Sequence, residues 1–224
     1  MDTDLPDTGK IKLSVVVGGH TYDVPGLASF FNSLNDVDYY IQGLDNWASS
    51  PINDQYDLFV FFHMNSWGTL SVRNDMDDKI NDAIGRIGAT SQGYFVWHHA
   101  LLSFPDNPTY DRICNQIDRT TTDGRWETRI DMNVQVEAPD HPVTHGVPDF
   151  AISGEGFVLE PCGGDSLVLL TQDHPRNVRT LAWCHDYRDS RVLCWQSGHD
   201  AGEWTNPNFH RIFQQGVEWL ARRR

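Results

Sequence analysis

Lysine is nearly absent from this chain of 224 residues: it occurs only at Lys10, Lys12 and Lys79, and the formal net charge is −14. Nucleic acid is a polyanion bound by clustered Lys and Arg, so this balance excludes it as a partner. The one basic run, the terminal "ARRR", suits the negative end of a helix dipole. Glutamate is scarce as well, with six against a large excess of aspartate, a balance that fits a high-salt habitat or plain genome composition equally. No apolar run approaches the roughly 20 residues needed to span a bilayer, so no membrane role is expected. "MDTDLPDTGK" is acidic, the opposite of a secretory leader, and residues 1–10 are expected as a flexible lead-in to a single domain over 11–224. No C-x-x-C pair exists; Cys114, Cys162, Cys184 and Cys194 lie far apart, which argues against a zinc ribbon or a thioredoxin-type site. Reduced thiols and a cytoplasmic setting follow as expectations. Internal repeats and low-complexity segments are missing too.

What is present is a rhythm of strand and helix. "IKLSVVVGG" (11–19) reads as a buried strand ending in glycines, and "PGLASFFNSLN" follows with helical spacing behind Pro25. "DVDYYI" and "YDLFVFFH" are further strands, the second nearly all apolar, as a strand covered on both faces should be. "RNDMDDKINDAIGRIGA" places Met76, Ile80 and Ile84 on one helical face. "YFVWH" is the next strand, with a helix expected from about Pro108 to Ile117. Alternation of this kind predicts an α/β fold: a flavodoxin-like, doubly wound, mostly parallel sheet. Residues 120–165 break the rhythm and are expected as a β-rich insertion at the sheet edge. "SLVLLT", "RTLAWCHDY" and "RVLCWQSG" return as strands before a last helix from about Pro207 to Arg222.

Histidine is where the pattern becomes chemical. His20 follows the first strand, His63 ends the third, His98 ends the fourth and His199 follows the last. A single histidine ordinarily hydrogen-bonds a loop carbonyl. Four at the carboxyl ends of parallel strands favour a cleft, because ligands of open α/β sheets bind along that edge. "SGHDAGEW" adds Asp200, with Glu203 nearby, and Glu155 lies inside the apolar "AISGEGFVL", where its pKa can rise enough for acid or base work. His141 and His145 in "HPVTHG" read as a turn. Trp97 and Trp195 read as core, and Trp204 as an aromatic wall.

The segments "VVVGGH", "GYFVWHHALLSFPDNPTYDRI", "DHPVTHGVPDFAISGEGFVL" and "SGHDAGEWTNPNFHRIFQQGVEWLA" run in order from about residue 12 to 222. Through them the chain resembles the ThuA-like (trehalose utilisation) family of the class I glutamine amidotransferase-like superfamily. The resemblance implies a flavodoxin-like sheet and a role in sugar or glycoside metabolism. In the amidotransferases a turn after the corresponding strand presents a nucleophilic cysteine; here it reads Trp97-His98-His99-Ala100, with no Cys, Ser or Thr. His199 occupies the place of their late histidine. The resemblance therefore implies no glutaminase chemistry.

These readings converge on an expected enzyme that cleaves or processes a glycoside, or an oxidised 3-keto glycoside. His98, His199, Glu155 and Asp200 are the candidate catalytic residues; Gly19, His20, His63, His99 and Trp204 are the candidates for binding the sugar. His20, His63 and His98 are the candidate ligands of a divalent metal such as zinc, although no local motif such as H-E-x-x-H fixes such a site. The competing expectation is a non-catalytic sugar- or partner-binding domain that kept the cleft. Self-association is neither specified nor excluded.

Overall fold

Strands without polar–apolar alternation belong in the middle of a covered sheet, and two of them stand there. The structure, a computed structural model, describes residues 4–65, 75–116, 119 and 126–224. Its strands are β1 (Ile11–Gly18), β2 (Val37–Gly43), β3 (Leu58–His63), β4 (Gly93–Trp97), β5 (Trp126–Val136), β6 (Phe150–Phe157), β7 (Leu167–Gln172), β8 (Thr180–Tyr187) and β9 (Ser190–Trp195). Its helices are α1 (Val24–Asn32), α2 (Leu44–Ser49), α3 (Asp75–Arg86), α4 (Pro108–Cys114), α5 (Ala201–Trp204) and α6 (Pro207–Leu220). These strands form one sheet in the order β2-β1-β3-β4-β9-β8-β7-β5-β6. Every residue of β3 and β4 is buried.

Successive strand residues point to opposite faces, and here they divide between two cores. Leu58, Val60 and Phe62 pack with Leu27 and Phe31 of α1 and with Phe213 and Val217 of α6. Phe59 and Phe61 pack with Trp47 of α2, Ile84 of α3 and Tyr110 of α4. Helices thus cover both faces of the sheet. Each fully buried Leu or Phe contributes about 1.5–3 kcal/mol, so this two-sided packing is the main force holding the fold. Among the described residues no helix is long and apolar enough to cross a membrane.

Helix starts follow local chemistry. Asp23, Asn107 and Asn206 cap α1, α4 and α6 with side-chain oxygens, and each is followed by a proline in the first turn. Two short elements escape sequence patterning. Helix α2 has six residues and no side-chain cap, and residues 98–102 form a 3-10 turn. The expected helix residues 73, 74 and 117 lie outside the described residues.

Strands β2, β1, β3, β4 and β9 are parallel and adjacent in that order, which gives the expected flavodoxin-like, doubly wound half of the sheet. Beyond β9 the ladders from β8 to β6 are antiparallel. Residues 126–157, read from sequence as an insertion, supply β5 and β6, which are rungs of this same sheet; residues 120–125 lie outside the described residues. Four reversals from β9 to β6 leave β6 pointing the same way as β9. Its C-terminal end, which carries Glu155, therefore faces the same edge as the ends of β4 and β9. The antiparallel half also curves back over that edge, since the Phe157 ring lies 5.6 Å from the His98 ring.

Candidate functional site

The site grows out of two turns. At the end of β4 the chain reverses sharply, and His98 takes a left-handed backbone conformation, φ 53°. A non-glycine residue pays for that conformation, which marks a position held by its surroundings. At the end of β9, Gln196–His199 form a second turn held by two indoles. Trp97 Nε1 donates to Ser197 O and Trp204 Nε1 to Gly198 O, each at 2.9 Å. Gly198 has φ 124°, and a Cβ there would stand 2.0 Å from the Trp97 indole nitrogen, so this turn admits only glycine. Beneath it Glu203 is fully buried and accepts the His199 backbone N–H at 2.6 Å. Burial pushes the Glu203 carboxyl up to about 8.

These turns bring three histidines around one carboxylate. Glu155, on β6 and 6% exposed, lies 3.1 Å from His199 Nδ1, 3.5 Å from His99 Nε2 and 4.0 Å from His98 Nε2. His98 Nε2 is also 3.2 Å from His199 Nδ1. The other nitrogen of His98 sits 2.6 Å from the Gln196 carbonyl. A carbonyl only accepts, so Nδ1 carries the proton and Nε2 turns its lone pair to the centre. Gln196 is fixed in turn, its Nε2 donating to Glu155 O and its Oε1 accepting from Asn177. Burial drives His98 well below the ordinary range, with His99's charge adding to it, and drives His99 down to about 2, with His20 and His199 contributing. Both are neutral at ordinary pH. One donor atom from each of His98, His99, Glu155 and His199 lies within 4.8 Å of the others, so these four could hold a metal.

A cleft of about 740 Å³ is lined by Thr128, Arg129, Ser153, Glu155, His199 and Asp200, among others. His98 and His99 lie behind it. His20 is exposed and covers the cluster, its ring centroid 4.0 Å from that of His99 and 6.3 Å from that of His199.

The remaining sequence candidates fall elsewhere. His63 stands apart: it is buried against Phe61 and Phe104, with Nδ1 3.0 Å from Ser103 Oγ, and burial takes it down to about 3. It borders a separate cavity of about 390 Å³ with Gly19 and Asp77. The set His20, His63 and His98 is therefore not the one whose donor atoms meet; His99, Glu155 and His199 replace His20 and His63. Asp200 caps α5 through Gly202 N and reaches the cleft only at its rim. Trp204 is 3% exposed and packs on Phe30, Phe62 and Trp97, so it is core and not a wall. Gly19, at φ 71°, lies against the Met64 carbonyl. Gln196 and the supporting role of Glu203 were not read from sequence. "CWQSGHDAGEW" held a weak hint of both, since a Gln and a Glu flanking a strand-end histidine are unusual amid apolar residues.

The ThuA family pattern, described as Trehalose utilisation, matches residues 48–220. The chain belongs to the ThuA family. Two solved structures described as ThuA-like are similar to it. The one from Parabacteroides merdae is 16% identical with a TM-score of 0.70, covering 95% of this chain and 90% of that one. The one from Bacteroides uniformis is 15% identical with a TM-score of 0.71, covering 98% and 95%. PurLQS from Thermotoga maritima is 15% identical with a TM-score of 0.59, covering 94% and 99%. Likeness at these identities shows the fold, which is amidotransferase-like. Curated proteins give no match. In this ThuA chain the strained turn after β4 presents the His98 imidazole. Cys114, Cys184 and Cys194 are buried, and none of the chain's cysteines lines the 740 Å³ cleft.

Proposed function

We propose that this ThuA protein is a cytoplasmic enzyme that processes a glycoside, its best-fitting substrate a 3-keto glycoside, by proton transfer at the His199–Glu155 pair. One observation carries the reading. A carboxylate with three imidazoles around it opens, through His199, into a cleft large enough for a sugar. Titratable groups gathered this closely suit proton transfer better than passive binding.

The chemistry follows from the tautomers. With Nδ1–H held by Glu155, His199 carries its lone pair on Nε2 and can act as a base. The carbonyl of a 3-keto sugar acidifies the proton on C2. His199 takes that proton, its electron pair becomes the C1–C2 double bond, and the C1–O bond to the leaving group breaks. His20, its ring centroid 6.3 Å from that of His199, returns a proton to the departing oxygen. Glu155 stabilises the imidazolium that forms, and His99, with Nε2 3.5 Å from the carboxylate, positions Glu155. Ordinary hydrolysis needs two carboxylates across the bond, and Asp200 is committed to capping α5.

The test is turnover on a panel of disaccharides and their 3-keto forms, run beside calorimetry. Release of the alcohol from a 3-keto substrate supports the proposal. Heat of binding without turnover on any of the panel would replace it with a sugar-binding domain.

A further inference from the structure

Glu155 Oε2 lies 3.1 Å from His199 Nδ1, and its Oε1 lies 3.5 Å from His99 Nε2 and 4.0 Å from His98 Nε2. His98 Nε2 lies 3.2 Å from His199 Nδ1, and one donor atom from each of the four lies within 4.8 Å of the others. Ligands placed 2.0–2.1 Å from a tetrahedral zinc stand about 3.3 Å apart. We propose that these four side chains form a binding site for a divalent transition cation of the zinc class, and that the bound ion silences the proton-transfer centre instead of serving it.

Three imidazoles and one carboxylate select a borderline ion, since magnesium and calcium prefer oxygen donors throughout. The supporting shell is built as well. Gln196 O holds His98 Nδ1–H, which aims Nε2 at the centre, and Asn177 holds Gln196. His199 needs only to shift its proton from Nδ1 to Nε2. The other cavity at this sheet edge, beside His63, brings no comparable set of donors together among the described residues.

Silencing follows from coordination number. A catalytic zinc keeps three protein ligands and one open position; here four protein donors complete the tetrahedron. The ion would also engage Glu155 and His199 Nδ1 together, and shifting the His199 proton to Nε2 removes the lone pair that serves as base. The binding claim stands on geometry alone, whereas the silencing claim rests on the proton-transfer reading above.

The experiment uses full-length protein without a histidine tag, stripped with a chelator. Zinc chloride is titrated in competition with a chromophoric chelator, and cobalt chloride is added separately to read coordination from its visible bands. His98→Asn tolerates the left-handed turn, Glu155→Gln keeps the shape of the side chain, and His199→Ala changes a half-exposed one. His145→Ala, in an exposed turn, is the control. We expect one equivalent of zinc, a tetrahedral cobalt spectrum, and affinity lowered by roughly 100-fold or more in each cluster variant and unchanged in the control. Less than about a tenth of an equivalent bound, or unchanged affinity in the folded Glu155→Gln and His199→Ala proteins, overturns the site. On any sugar that turns over, zinc should stop the reaction and chelator restore it; a rate raised by zinc overturns the silencing claim. If no sugar turns over, the function proposed above fails while the metal titration still decides the site.

Discussion

At the scale of single residues, His199 and Asp200, neighbours on the cleft wall, are set apart by what else they do. His199 turns one nitrogen to Glu155 and leaves the other for substrate, whereas Asp200 spends an oxygen on Gly202 N. His199→Ala should therefore lower turnover by roughly 100-fold or more in a steady-state assay. Asp200→Asn keeps a capping side chain, and its rate should stay within about threefold of the wild type. Equal losses in the two would shift the chemistry to a pair of carboxylates. A second expectation concerns the strained turn. With His98 where a thiol would be needed, glutamine should yield no ammonia above background in a coupled glutamate assay. Ammonia release that survives replacement of all four cysteines would break the correspondence between this turn and the amidotransferase elbow.

At the scale of elements, the site depends on how α6 and β6 meet. Asn206 caps α6 by accepting from Asn208 N and Phe209 N, and its amide also donates to Ala151 O on β6. Asn206→Ala should cost about 1 kcal/mol through the lost cap, read as a lower denaturation midpoint with an unchanged slope. These elements also show what a sequence can reveal. The apolar runs of β3 and β4 and the periodic face of α6 were legible because burial imposes a period on residues close in the chain. The strand-end histidines were legible for the same reason, since each follows an apolar run. That His63 would turn into the core and His99 toward Glu155 was not legible. The difference lies in the 98–102 turn and in the curvature of the antiparallel half, and neither leaves a local period. Glu155 stood out by rarity alone, and its partners come from strands far along the chain.

At the scale of the whole molecule, buried titratable groups set how stability follows pH. Burial holds His63, His98 and His99 below the ordinary 6.5, His63 to about 3 and His99 to about 2. Burial lowers His141 and His185 as well, so as pH falls below 6.5 the unfolded chain takes up protons at these five histidines before the folded chain does, and stability is lost on the acid side. Glu203 has the opposite sign. It is raised from 4.5 to about 8, so the unfolded chain releases a proton first and stability is lost as pH climbs from 4.5 through about 8. Between 4.5 and 6.5 the histidines outweigh the one glutamate; from 6.5 to about 8 the glutamate acts, and further toward base the thiols of Cys162, Cys184 and Cys194, all raised by burial, add to the loss. The metal-free protein should be most stable near pH 6.5, falling steeply toward acid and gently toward base in urea titrations. Glu203→Gln should level the slope between pH 6.5 and about 8; a slope that persists there in that variant would place its origin elsewhere. The curvature that carries β6 over the ends of β4 and β9 has one more consequence, and it is kinetic. His98 and His199 are 101 positions apart, and their shared carboxylate comes from a third strand, β6, which joins the sheet through β5 and, beyond it, β7. Contacts so distant in sequence close late. On refolding, helical signal should return first, and the imidazole cluster should appear only with the last strand pairing, which makes the reactive centre its own report that the chain has finished folding.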